Sequence, residues 1–592
     1  MEIYTLLGIL TYFLSYIFYI KTSHGLGHKA EYLQLRRFFP CAVLAVLPMY
    51  LMQQPLTLPA YILSGIVGIS WIITYPLLYY WTYKKNSSDF GFHLDTVFGL
   101  YITGWLISLK LFIMYFNILP AIFMSIVSVI EFLLFLIPLF QIIYYLIYKT
   151  CINDSAIALI RETDNNEAIE FYKSLPLAIQ IASPLFIIAA FVVIISINIS
   201  SPSMHPVQMP YLAVMAAELI FLTIYLWNTK KGVFIRTGIV ELYLDVLNYI
   251  RETNQYKEKL HERMEELTVA PSIPAFDKPS TIIMVIGESE SKDYMSVYTG
   301  DDKNSTPWLQ ELSQSRNCIL FKNAYACKDQ TVPVLERALT EANQYNDKKF
   351  YESCSIIDIA RKAGYKTYWF SNQGHIGSAE TAITLVANTA DKAEWTKQNL
   401  NHFQYDETLL EYLKTVNPKE NNFIILHLMG SHFNFINRYP QDKAYFSKPN
   451  KYDLIPNYLD SICYTDYVLQ QFKEYAEENL NLQAFVYFSD HATIPDKRRS
   501  PNFGGFGTVR IPMCVYLSDE YISKHQNIYA AMQSNKDRYF TNDLMYEFMC
   551  GLLNIDSNHY DESNSLASLK YKYTVYDLKT DLGNMLIKDD IH

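Results

Sequence analysis

Charged residues are scarce at the start of this 592-residue sequence. Residues 1–228 hold 10 Lys+Arg and 11 Asp+Glu, so about 9% of positions are charged, against the ~25% usual for soluble proteins. Residues 229–592 hold the remaining 39 and 48, about 24%. The first part is therefore no ordinary soluble domain, and the second has the composition of one. Basic runs are also missing. The net charge is −10, and no stretch could neutralise a row of phosphates, which argues against a nucleic-acid binder. Eight cysteines in so long a chain exclude a small disulfide scaffold. An apolar fraction of one half excludes intrinsic disorder. At ~150 residues per domain, the length predicts two to four units.

Long apolar runs are abundant. Stretches able to cross ~30 Å of hydrocarbon fall at about 3–20, 38–53, 58–82, 96–115, 119–148, 178–198 and 209–228, and predict five to seven spans. The first has no basic n-region and no small-residue cleavage site, so a retained anchor is expected and not a cleaved signal peptide. Lys21, Lys29, Arg36 and Arg37 follow the first run, Lys84 and Lys85 the third, and Lys230 and Lys231 the last. The positive-inside rule places all three groups in the cytoplasm. With seven spans, the rest of the chain would lie there too; a change of one span would reverse that. Lys110, Glu131 and Glu218 lie inside apolar runs. Such charges mark pathways or lipid sites, or they sit at the interface or pair within the bundle.

Residues 229–268 carry apolar residues at three- and four-residue spacing with charges between them, which predicts an amphipathic helix. It could lie on a membrane surface or pack as a linker. VAPSIPAFDKPS then breaks it with three prolines near 270–280. The expected organisation is a polytopic α-helical membrane domain over 1–228, a linker helix and Pro-rich connector over 229–280, and a catalytic domain over 281–592. In the last, short β-rich runs (TIIMVI, CILFKNAY, YKTYWFS, NFIILHL, AFVYFS, MCVYLS) alternate with helical stretches. That alternation predicts an α/β domain with a mainly parallel sheet, and such sheets bind ligands at the carboxyl ends of their strands.

Three strands end in chemically suggestive residues. TIIMVI runs into Gly287-Glu288-Ser289, NFIILHL into Gly430-Ser431-His432, and AFVYFS into Asp490-His491. Glu288, Asp490 and His491 are oxygen and imidazole donors of the kind zinc accepts. Each has a plainer reading: an Asp-His pair is often a surface loop, and a carboxylate after a strand often caps a helix. Thr331, in Cys327-Lys-Asp-Gln-Thr331-Val-Pro333, precedes a helix whose first-turn N–H groups could hold a phosphate. A metal would lower the pKa of its hydroxyl and make it a nucleophile. Equally, Thr331 could be the N-cap of that helix.

In order along 280–520, MVIGESESKDYMSVYTGDDKNSTPWLQEL, AYACKDQTVPVLERALTEAN, YKTYWFSNQGHIG, YDETLL, HLMGSHFNFINRYP, YLDSICYTDYVLQQF and FVYFSDHATIPD resemble the blocks of the sulfatase and alkaline phosphatase superfamily. The similarity is greatest to its membrane phosphoethanolamine transferases, which include the lipid A modifying and colistin-resistance enzymes. The resemblance implies a Zn2+ ion held by Glu288, Thr331, Asp490 and His491, with Thr331 as nucleophile. It implies phosphatidylethanolamine as donor and a lipid A or LPS-core glycolipid as acceptor. His432 would act beside the phosphate, while Asn372 and Gln373 are weaker candidates for contacting the phosphoethanolamine group. His427, inside its strand, is expected to be structural. The implied location is the bacterial inner membrane, among its lipids, with the catalytic domain in the periplasm.

The sequence departs from this family in a few places. Several relatives carry a further histidine after the Asp-His block. Here RRSPNFGGFGTVRIPM has none, leaving Arg498, Arg499 or Phe506 to take part of that space. The family often ties its nucleophile loop with disulfides, so Cys318–Cys327 or Cys327–Cys354 bridges stand beside buried free thiols as options; Cys41 and Cys151 are expected to be unpaired. A sulfatase would need Cys or Ser at the start of a Cys/Ser-x-Pro-x-Arg motif, and Thr331-Val-Pro333-Val-Leu335 has neither that residue nor the arginine. Phosphoglycerol transfer on the same fold, or a non-catalytic receptor or transporter, are the alternatives.

Overall fold

The computed structural model describes residues 2–22, 39–83, 90–152, 157, 169, 172–173, 177–200, 207–270, 276–373, 381–396, 404–447, 453–497 and 503–590. The chain divides into two compact units, with the boundary between Asn248 and Tyr249, inside the helix Gly238–Glu258. That is some twenty residues before the Pro-rich connector. The reason lies in packing: the Tyr256 ring is fully buried in the core of the second unit, stacks on Phe350 at 4.5 Å, and lies under the Arg263 guanidinium at 3.7 Å.

In the first unit, six helices among the described residues are long and apolar enough to cross a membrane: Glu2–Tyr19, Leu58–Thr82, Leu94–Phe116, Pro120–Tyr148, Gln180–Ile199 and Met209–Trp227. The apolar run near 38–53 forms only the short helix Phe39–Leu51. At ~1.5 Å rise per residue it reaches about 20 Å, too short to span. It turns at 45–46, where Pro48 enters with no N–H to continue the ladder. Lys110 and Glu131 form an ion pair at 2.6 Å, both fully buried. Ser64 bonds both, and Asn198 donates to Glu131 at 2.7 Å, so four of the spans meet at this point. Glu218 accepts a longer bond from Ser108, at 3.4 Å.

The second unit is built on a seven-stranded sheet. Its strands are β1 (Thr281–Gly287), β2 (Cys318–Leu320), β4 (Lys366–Ser371), β5 (Lys392–Trp395), β6 (Asn422–His427), β7 (Leu482–Ser489) and β8 (Met513–Leu517), and β3 (Asn323–Tyr325) pairs separately with β9 (Tyr539–Thr541). The order is β2-β8-β7-β1-β6-β4-β5, parallel except at β8, which runs antiparallel to both neighbours. Strand β1 is apolar from Ile282 to Ile286 because both its faces are covered. Ile282, Met284 and Ile286 enter one core, and Ile283 and Val285 the other. Strand β7 repeats the alternation with Val486 and Phe488 against Phe485 and Tyr487. Because β1, β6 and β7 are adjacent and parallel, their carboxyl ends open at one edge of the sheet.

Candidate metal centre and nucleophile

Strand β1 ends at Glu288 and β7 at Asp490 and His491, and all three side chains are buried. A carboxylate oxygen from each acid and a ring nitrogen of His491 lie within 4.8 Å of one another. His491 Nε2 is 3.4 Å from Glu288 Oε1 and 3.5 Å from Asp490 Oδ2. Thr331 joins them from the first position of the helix Thr331–Ala338. Its hydroxyl donates to Glu288 Oε2 at 3.0 Å and lies 3.4 Å from His491 Nε2. The N-cap is Gln330, and its side chain makes no capping bond. Thr331 is therefore not the cap, and its hydroxyl points into the cluster.

Backbone bonds fix this arrangement. Asp490 Oδ1 accepts from the N–H of Ser289 at 3.1 Å and of His491 at 2.6 Å. Asp490 Oδ2 has no partner among the described residues. Burial, and then the Glu288 carboxylate beside it, push the Asp490 carboxyl well above its ordinary range. Two buried carboxylates with an imidazole, one carboxylate oxygen making no hydrogen bond among the described residues, have the donor set of a cation site. The residues present thus fit a metal ion.

The turn after β6 closes over this cluster. Ser431 N donates to the Glu288 carbonyl at 2.9 Å, and Gly430 has φ +47°. A Cβ on Gly430 would come within 2.8 Å of Glu288 O and 2.9 Å of its N. Ser289 also adopts positive φ, +60°, and donates its hydroxyl to Glu288 Oε1 at 2.6 Å. His432 follows on this turn, half-buried, with its N–H on the Met429 carbonyl at 3.2 Å.

The other expected residues divide. Gln373 reaches the cluster: its amide donates to Glu288 Oε2 at 3.1 Å and to the Leu428 carbonyl at 2.8 Å, orienting an acid of the site. Asn372 is fully buried in the framework. It donates to Asp406 Oδ1 at 2.7 Å and to the Gln404 carbonyl, and accepts from Thr396 at 2.8 Å. His427 bonds Ser371 at 3.3 Å, and burial lowers its pKa to about 4, so it is a neutral ring within the sheet. Arg498 and Arg499 fall outside the described residues, while Phe506 packs edge-on to Phe503. All eight cysteines are buried thiols, so neither Cys318–Cys327 nor Cys327–Cys354 is bridged. Hydrogen bonds tie the nucleophile segment in their place. Asn542 accepts from Cys327 N at 2.9 Å and donates to the Asp490 carbonyl at 2.6 Å, and Asp329 accepts from Gly504 N at 2.8 Å.

Three supporting roles escape a reading of the sequence alone. They are those of Ser289, whose position at the strand end is legible but whose bond to Glu288 is not, and of Asn542 and Asp406, the last of which accepts from the N–H groups of Met429 and Gly430 and so holds the turn carrying His432. Asp406 lies in the YDETLL block, but nothing local to that block marks it as a clamp.

Comparison with known proteins agrees with the geometry. The sulfatase family matches residues 280–552. Phosphoethanolamine transferase CptA of Salmonella typhimurium is 25% identical over 568 residues, covering 86% of this chain and 93% of the relative. Phosphoethanolamine transferase EptC of Escherichia coli is 25% identical over 520 residues, covering 80% and 86%. The integral membrane protein lipooligosaccharide phosphoethanolamine transferase A of Neisseria meningitidis shares the fold over 89% of this chain and 98% of its own, with a TM-score of 0.53 and 16% identity. Fold and cluster define a member of the sulfatase and alkaline phosphatase superfamily carried on a helical membrane unit. Over most of its length the chain is similar to membrane phosphoethanolamine transferases, enzymes of that superfamily, and it is a multi-pass protein of the inner membrane.

Proposed function

We propose that this chain is a zinc-dependent enzyme that moves phosphoethanolamine from phosphatidylethanolamine to a lipid A or LPS-core glycolipid, with Thr331 as the covalent carrier. The observation that carries the reading is the Thr331 hydroxyl, held 3.0 Å from Glu288 and 3.4 Å from His491 at the start of a helix. Glu288, Thr331, Asp490 and His491 would hold the zinc, which would lower the pKa of the hydroxyl and neutralise charge on the phosphoryl oxygens.

The chain's own groups account for the rest. Thr331 Oγ1 forms a bond to phosphorus, the bond from phosphorus to the glycerol oxygen breaks, and diacylglycerol leaves with a proton. Phosphoethanolamine stays on Thr331 as a phosphodiester. The N–H groups of Thr331 and Val332 make no hydrogen bond within the described chain, and Pro333 has none to give. Two donors at the positive end of the helix are thus free for phosphoryl oxygens. His432, on the turn bonded to Glu288, would protonate the leaving oxygen and later accept the proton of the acceptor hydroxyl. That acceptor displaces Thr331, whose oxygen regains its proton.

The six membrane-length helices among the described residues bear on the side of the membrane. An even number returns the chain to the side of its N-terminus, opposite the loop 21–37. Lys21, Lys29, Arg36 and Arg37 in that loop favour the cytoplasm, which puts the catalytic unit in the periplasm. Lys84, Lys85, Lys230 and Lys231 then run against the rule.

The test is the first half-reaction. Detergent-purified protein incubated with zinc and phosphatidylethanolamine should release diacylglycerol and gain phosphoethanolamine on the Thr331 peptide, both seen by mass spectrometry. Thr331→Ala should lose the adduct. Unchanged diacylglycerol release in that variant, or full activity after chelation, would sink the assignment. An adduct formed only from phosphatidylglycerol would replace the donor.

A further inference from the structure

Beyond the C-terminal end of the helix Thr331–Ala338, a second group of donors converges that shares no residue with the Glu288 cluster. Glu341 and Cys354 are buried, and His559 is largely so. A carboxylate oxygen, the Cys354 sulfur and a ring nitrogen of His559 all lie within 4.8 Å of one another. His559 Nδ1 is 2.9 and 3.0 Å from the two Glu341 oxygens. We propose that Glu341, Cys354 and His559 form a structural metal site of zinc-binding type, separate from the Glu288 cluster.

Three features favour this reading. The donor types, one thiolate, one imidazole and one carboxylate, are all ones that zinc accepts. Ligands on bonds of about 2.0–2.3 Å to one tetrahedral ion stand roughly 3–4 Å apart, close to the spacing already present. The donors are also rigidly placed. Glu341 N bonds the Cys354 carbonyl at 3.1 Å, and Cys354 N bonds Glu341 Oε1 at 3.0 Å. Ser355, next to Cys354, caps the helix Ile356–Lys362 through a reciprocal capping box. His559 is held by its carbonyl, which accepts from Tyr546 at 3.0 Å.

Lys348 also contacts Glu341. In the metal-free protein Lys348 pairs with the acid and the His559 ring hydrogen-bonds it. Its side chain is 48% exposed, so it can move into solvent when an ion takes its place. Binding releases the Cys354 proton to solvent, and the ion inserts between His559 Nδ1 and the carboxylate. The three ligands come from the segment after the nucleophile helix, the start of the next helix, and the loop after the helix Met545–Leu552. A metal here would pin the far end of the nucleophile helix, a job a disulfide of Cys354 would otherwise do.

Cobalt(II) tests this on the full chain, because the Glu288 cluster contains no sulfur. Purified protein loaded with excess cobalt and then desalted should retain two metal equivalents and show a near-ultraviolet thiolate-to-cobalt band. Cys354→Ser should lose the band and one equivalent, and His559→Ala should lose one equivalent. Asp490→Asn should lose the other equivalent and keep the band. Wild-type protein with no thiolate band would overturn the proposal without reference to any variant. A band unchanged in Cys354→Ser would overturn it too, as would a metal count unchanged in His559→Ala.

Discussion

Gln373 and Thr331 share one oxygen of Glu288. The amide of Gln373 donates to Oε2 at 3.1 Å, and the hydroxyl of Thr331 donates to the same atom at 3.0 Å. Gln373 also reaches back to the Leu428 carbonyl at the end of β6, so it sets the plane of the carboxylate from a fixed frame.

A residue that orients a metal ligand from behind tunes affinity without touching the ion. Such partners typically cost 10–100-fold in metal affinity or activity when removed. Gln373→Leu is therefore expected to weaken zinc about 10–100-fold in a chelator competition, with activity restored by added zinc. If Gln373 serves mainly to contact the phosphoethanolamine group, zinc affinity stays at the wild-type value and KM rises instead.

Gly430 carries the second prediction. Its φ of +47° costs a residue with a Cβ roughly 1–2 kcal/mol, and the contact with Glu288 O and N at 2.8 and 2.9 Å adds to that. The clash falls on backbone, which cannot swing aside. Gly430→Ala should displace the 288–289 segment, lowering both the zinc retained and the rate of adduct formation. A variant with full zinc content and wild-type rate would show that the turn can shift freely.

How much of this could be read beforehand depends on locality. The ends of β1 and β7 were legible because strands buried on both faces are unbroken apolar runs, and a polar residue at their end stands out. Adjacent Asp490 and His491 showed in the same way. The role of Asn372 was not legible, since its partners Thr396 and Asp406 lie 24 and 34 residues away. The N-cap reading of Thr331 failed for a different reason: one helical position separates a cap from a first residue, and sequence does not resolve it. The apolar run at 38–53 read as a span on composition alone, and Pro48 is what breaks it.

Glu290 offers a pH test near the site. It is fully buried, accepting from Tyr487 and from Ser431 at 3.4 Å, and burial raises its pKa from 4.5 to about 8. Folding therefore holds a proton that the unfolded chain releases above pH 4.5. The associated stability is complete below that pH and is lost as pH rises through about 8. The effect is on the order of a few kcal/mol at most. Glu290→Gln keeps the shape and removes the titration. Thermal midpoints of metal-free protein between pH 5 and 8.5 are expected to fall more steeply for wild type than for Glu290→Gln; parallel curves would show that Glu290 does not titrate in this window.

Lys110 and Glu131 decide between the two readings left open by charges inside apolar runs. Both are fully buried, 2.6 Å apart, with Ser64 and Asn198 completing the network. Removing one partner strands the other charge in a low-dielectric bundle, which costs about 3–5 kcal/mol in buried pairs, whereas replacing both by apolar groups of similar volume is often neutral. Lys110→Ala and Glu131→Ala should each lower the unfolding midpoint in detergent by many degrees. The double variant Lys110→Met/Glu131→Leu should recover most of that loss and keep adduct formation on Thr331. Recovery of both would make the pair a device for holding four spans in register. Recovered stability with lost transfer would instead place Lys110 and Glu131 on the path of a lipid substrate.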